Sequence, residues 1–307
     1  ILIFILLVIP ACLSAPAQTQ TPTLESEPQI EITPDTPVSS QNVLTVCLGQ
    51  EPNSLYPFGE LNSAARSVLA AIYDGPIDTT GYEYQAVILT QLPSFDNGDA
   101  QIVTTAVQAG DSLVDAEGNL TQLTTGLRVR PAGCRNNDCA IVYDGITPLE
   151  MDQMIVTYRL RPDLTWSDGT PLTADDSIYA FDLQREANLN AYLIGRTQTY
   201  EAADEKTLQW FGIPGFIDPT YFMNIWQPAP KHAWSEFPAT QLPDVDVSSR
   251  TPIGWGPFAI KEWLPGESIT LEKNPNYYRT RDGYPKLDEI QFRFIPDPDL
   301  ALSELIA

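Results

Sequence analysis

A chain of 307 residues with 40 acidic and 17 basic side chains carries a formal net charge of -23. Such a surface repels phosphate backbones, which excludes nucleic acid as a partner. The length allows a large core and about two domains, while 27 Pro and 18 Gly call for many turns and irregular connections.

The chain opens on "ILIFILLVIPAC", where eleven uncharged residues precede Cys12. That run is too short to span a bilayer as a helix and reads as the apolar part of a signal peptide without its basic leader. "IPAC" is similar to a lipobox, which makes Cys12 a candidate lipidation site. A plainly cleaved secretory signal is the alternative. Residues 13–42 hold Pro16, Pro22, Pro28, Pro34 and Pro37 among Thr, Ser, Gln and Glu, with no aromatic residue and no Lys or Arg. The expectation is a disordered tether.

The first folded element is a strand over Val43–Leu48, in which Cys47 reads as a buried thiol. "NSAARSVLAAIYDG" follows as a helix capped by Ser63 and stopped by Gly75, with Val68, Leu69, Ile72 and Tyr73 at helical spacing. A short apolar run, a turn at Asn97-Gly98 and a second strand come next, then turns and short strands over 110–150. Within these, Cys134 and Cys139 bracket "CRNNDC". Export permits a disulfide closing this loop; a metal site is the alternative, with no His or further Cys nearby to complete it.

"QMIVTYRLR" alternates as a strand. After it, "SDGTP" is a turn, and Thr173 with Asp176 three residues later forms a capping box. Asp175 and Asp176 suit the positive end of the helix. Capping and turn roles explain Asp168, Asp175 and Asp176 without a metal. "PFAIKEWLPGESITLEKN" reads as a hairpin about Pro265-Gly266, and "EIQFRFIPD" as a strand with Ile290, Phe292 and Phe294 on one face. The chain ends on a helical pattern, "DLALSELIA".

Signs of catalysis are few. His232 is the single histidine, so a Ser-His-Asp or Cys-His arrangement would have to be built around it, and no G-x-S-x-G occurs. "GWGPFA" fails as a dinucleotide fingerprint because Pro257 stands where the helix should open and the run reads as a strand. The chain points to binding, with no catalytic residue, no cofactor and no metal.

Four blocks in order over 51–298 resemble the family 5 extracellular solute-binding proteins, receptors of peptide, oligopeptide and nickel ABC importers. They are "EPNSLYPF", "YRLRPDLTWSDGTPLTADDSIYAF", "PIGWGPFAIKEWLPGESITLEKNPNYYR" and "YPKLDEIQFRFIPD". Trp255 stands where the family often has a small residue, Tyr56 where a small or acidic residue is common, and the 96–145 stretch looks longer than usual.

The resemblance implies a mixed α/β, type II periplasmic-binding fold that closes by a hinge over its solute. With the signal remnant over 1–12 and the tether over 13–42 read from the residues, the resemblance implies lobe I over 43–295 and the start of lobe II over 296–307. It also implies a peptide or other small-molecule solute, ABC permease subunits as partners, a lipid anchor in the membrane, a monomer and an extracytoplasmic location. The "SDGTP" corner is expected to support the cleft without touching ligand. Cleft walls in such receptors are loops at strand ends, so the candidate ligand contacts are Asn53, Tyr56, Gly254, Trp255, Tyr277 and Tyr278. The competing readings are a ligand-sensing regulatory module on the same fold and an exported hydrolase.

Overall fold

A computed structural model describes residues 42–306. The apolar opening, Cys12 and residues 13–41 of the expected tether lie outside the described residues. Two four-stranded sheets organise the rest. The first contains β1 (Val43–Leu48), β6 (Phe258–Leu264), β7 (Ser268–Lys273) and β8 (Glu289–Phe294) in the order β1-β8-β7-β6. The second contains β2 (Ala100–Val107), β3 (Leu149–Arg159), β4 (Thr197–Asp204) and β5 (Thr207–Gly212) in the order β4-β5-β3-β2, all antiparallel.

Antiparallel neighbours can be joined by short turns, and β6 and β7 are joined through Pro265-Gly266 as expected. The pairing of β1 with β8 is parallel, in register from Val43↔Glu289 to Leu48↔Phe294. A parallel pair needs a long crossover; here nearly the whole chain lies between the two strands. The Ile295 amide then donates to the Leu48 carbonyl at 2.8 Å. The chain therefore leaves β8 beside the loop that leads from β1 into α1 (Ser63–Ile72).

Helix α1 buries Ala64, Ala65, Val68, Leu69 and Ile72, the stripe its spacing requires. Its cap is Asn62 and not Ser63: the Asn62 Oδ1 accepts from the Ala65 amide at 2.8 Å. Asn62 has extended backbone (φ -75°, ψ 174°), the conformation a cap needs, while Ser63 is already helical. Helix α2 (Ala174–Glu186) starts at Thr173 as the sequence requires, with the Thr173 amide donating to the Asp176 carboxylate at 2.8 Å.

Both large sheets and both helices contribute to one core, whose fully buried large residues include Trp166, Trp210, Trp234, Trp255 and Tyr158. Residues 107–151 have a smaller core of their own, built from Val107, Leu113, Leu123, Val129, Tyr143, Leu149 and Met151. Cys134 and Cys139 are joined by a disulfide beside it.

Two local expectations need correction. Cys47 is only partly buried, because β1 is the outer strand of its sheet. "GWGPFA" enters strand only at Phe258; Gly254 to Pro257 is irregular because it packs against the end of α1. A final helix, α3 (Pro298–Ile306), follows β8.

Candidate functional site

The second and third blocks, far apart in sequence, meet at the end of α1. The Gly256 amide donates to the Ile72 carbonyl at 2.8 Å, and the Trp255 Nε1 donates to the Asp74 carbonyl at 2.8 Å. Gly254 lies so close to this turn that an added Cβ would sit 1.9 Å from the Ile72 carbonyl oxygen. The "SDGTP" corner joins them: the Ser167 amide donates to the Gly254 carbonyl at 2.7 Å, and the Ser167 carbonyl accepts from the Asn276 Nδ2 at 2.9 Å. Asn274, fully buried, donates to the Gly256 carbonyl at 2.8 Å and so fixes the "NPNYY" turn against the glycines.

Asp74 is the centre of this junction. Its Oδ2 accepts from the Tyr277 hydroxyl at 2.6 Å and from the Tyr278 hydroxyl at 3.1 Å. Burial and then the adjacent carboxylate push both phenols up, Tyr278 to about 12. Both therefore stay protonated donors at neutral pH. Arg161 places its guanidinium 4.7 Å from the centre of the Tyr278 ring while bonding Asp163.

A concavity of about 320 Å³ opens on this junction, lined by Asp74, Asp78, Gln85, Ala86, Val87, Arg161, Tyr278, Arg279 and Asp282. A second, of about 290 Å³, lies on Tyr73 and Gly75 and includes Pro57, Leu61, Arg66, Leu69, Ala70 and Gln227. The two share the Tyr73–Gly75 turn. Their mixture of carboxylates, guanidinium groups, a phenol and apolar side chains is suited to binding a zwitterionic or amide-rich molecule. A larger concavity lies elsewhere, by the disulfide loop.

The candidate residues fall into two groups. Gly254, Trp255, Tyr277 and Tyr278 meet around Asp74, and of these Tyr278 lines the concavity. Trp255 is 1 % exposed and packs on Tyr73 and Trp166, so it acts on the site through what it holds. Tyr277 is 5 % exposed and holds Asp74. Asn53 and Tyr56 lie apart from this group. The Asn53 side chain donates to the Glu60 carbonyl and accepts from the Asn62 amide, closing the loop before α1. Tyr56 is buried against Phe58 and Trp234, and burial pushes its phenol up to about 12.

Sequence reasoning missed Asp74, Arg161 and Asn274. A carboxylate directly after an apolar helix was the available signal for Asp74.

The three carboxylates of the corner each have a partner. Asp168 accepts from the Thr170 amide at 2.9 Å and lies 2.8 Å from His232 Nε2. Burial pushes its carboxyl up, but these bonds outweigh that and hold it below the usual range. Asp175 pairs with Lys231 at 3.3 Å. Buried Asp176 accepts from the Thr173 and Lys231 amides and the Trp166 indole; burial is the larger effect and raises its pKa.

A family model described as bacterial extracellular solute-binding proteins, family 5, middle region, matches residues 149–307. A provisionally named ABC transporter peptide-binding protein of Brucella ovis is 32% identical over 161 residues, covering 50% of this chain and 29% of that protein. The oligopeptide-binding protein AppA of Bacillus subtilis is 29% identical over 158 residues, covering 48% of this chain and 28% of AppA. The chain thus matches under a third of the length of these relatives. Among solved structures, an oligopeptide-binding protein of Thermus thermophilus in complex with a pentapeptide superposes with a TM-score of 0.59 at 19% identity, covering 87% of this chain and 43% of that one.

Proposed function

Because the chain belongs to the family 5 bacterial extracellular solute-binding proteins and has their type II periplasmic-binding fold, we propose that it is part of an ABC importer's receptor for peptides. Members of this family are solute-binding proteins and not enzymes, and they work outside the cytoplasm. The match over 149–307 carries the reading, supported by the names of the Brucella and Bacillus relatives.

The receptor captures a peptide, closes over it by a hinge and is recognised in that form by its permease. It is a monomer, held at the membrane by lipid on Cys12. The concavity at the end of α1 forms part of one cleft wall. Tyr278, Arg161 and the Gln85 side chain are its contacts, while Gly254, Trp255 and Tyr277 hold Asp74 in place. Asn53 and Tyr56 shape the loop at the wall's far edge. A wall of carboxylates and guanidinium groups, with phenols fixed by Asp74, suits a ligand bound largely through its backbone, which tolerates varied side chains.

Native mass spectrometry of the purified protein tests this reading. Retained peptides are expected, and Arg161→Gln should weaken their retention by about tenfold, the loss of one charge-assisted bond. Hydrolysis of added peptides without retention would point instead to an exported hydrolase and overturn the receptor reading.

A further inference from the structure

A concavity of about 360 Å³ lies away from the α1 junction, between the disulfide loop and the Gly215–Ile217 turn. Three arginines line it: Arg130, Arg135 and Arg196. Asp152 is the one carboxylate on the wall, and it is already occupied, with Arg135 at 2.9 Å and the Gly133 amide at 3.0 Å. Among the described residues, Arg130 and Arg196 form no ion pair at all, in a chain with 40 acidic side chains. Both are partly buried.

A partly buried guanidinium ordinarily finds a carboxylate, because its five N–H donors are costly to leave unused. Here the donors are barely used. Arg130 makes one bond, to the Asp115 carbonyl at 3.3 Å. Arg196 makes two, to the Tyr192 and Gly118 carbonyls at 3.3 and 3.4 Å. All three are long for charged donors.

Arg196 and the walls of the pocket are also held in place. The Arg196 guanidinium lies 3.9 Å from the Tyr192 ring centre and 5.6 Å from that of Phe216. Gly215, at φ +81°, brings backbone so close to Val114 that a Cβ would meet its carbonyl oxygen at 2.4 Å. The Cys134–Cys139 bond closes the loop that carries Arg135. Such preorganisation lowers the ordering cost of binding.

We propose that this pocket is a second binding site, separate from the peptide cleft, for a small oxyanion whose phosphate or carboxylate oxygens bridge Arg130 and Arg196. Arg135 stays on Asp152 and forms the wall. The site stands on its own residues and does not depend on what the α1 concavity binds.

Calorimetric titration of the full chain at constant ionic strength, with inorganic phosphate and with succinate as separate probes, tests it. Saturable binding of either probe at millimolar concentration or tighter is expected, with a rise in thermal midpoint as the site fills; the tighter probe identifies the group. Arg130→Gln and Arg196→Gln should each weaken binding about tenfold, and the double variant should abolish it. Arg185→Gln, on the exposed face of α2, should leave binding unchanged. Circular dichroism establishes that each variant is folded. Absence of saturable binding by both probes, or equal binding by the folded double variant, overturns the proposal.

Discussion

An alanine at Gly254 would bring its Cβ to 1.9 Å from the Ile72 carbonyl oxygen, a distance no repacking of side chains can relieve because both groups are backbone. The loop would have to lift from α1. That movement strains the Gly256–Ile72 and Trp255–Asp74 bonds and the seat of Asp74. Gly254→Ala is therefore expected to destabilise the protein by roughly 3 kcal/mol or more, among the larger single-residue effects. A lowered urea midpoint with an unchanged slope is the expected result; an unchanged midpoint would show that the close approach carries no weight. The glycine spacing was visible in the sequence, but its purpose was not. "GWG" has the same letters whether it admits a ligand, a bulge or a neighbouring helix end.

At the scale of elements, α1 depends on a cap that does two things. The Asn62 Oδ1 accepts from Ala65, and its Nδ2 donates to the Glu51 carbonyl at 2.9 Å. The helix start is thus tied to the loop leaving β1. Asn62→Ala is expected to cost about 1 to 2 kcal/mol. Asn62→Ser, which retains the cap oxygen and loses only the Glu51 bond, should cost less. Thermal or urea unfolding of the pair separates the two contributions; equal losses would mean that the cap itself contributes nothing. Hydrophobic spacing located this helix correctly. It mistook the capping residue because Asn62 and Ser63 are both good caps and only the backbone angles distinguish them. The Thr173–Asp176 box was legible because both partners are local.

For the whole molecule, charge is the dominant long-range quantity. A net charge of -23 opposes compactness through self-repulsion. Most of the ion pairs that would offset it are exposed at their cationic end, such as Arg128–Glu117 and Arg185–Asp182, and exposed pairs contribute about 0 to 1 kcal/mol each. Added salt screens both, but the repulsion is shared by many more charges. The thermal midpoint should therefore rise as sodium chloride is raised from about 0.01 M to 0.15 M, where the screening length falls from about 30 Å to 8 Å. A falling midpoint would show that the ion pairs outweigh the repulsion.

What the sequence determined by itself was local or cumulative. Strand and helix positions, the capped corner, the Pro265-Gly266 hairpin and the family resemblance each rest on residues close together or on an ordered series of such blocks. The tertiary structure alone decided which distant loops meet. Asp74 drew no attention in the sequence because its carboxylate acquires meaning only when Tyr277 and Tyr278, some two hundred residues later, donate to it. The same holds for Arg130 and Arg196, whose lack of a carboxylate partner exists only in three dimensions. Local propensity acts over a few residues, whereas a binding wall is made by contacts between segments whose separation no sequence period records.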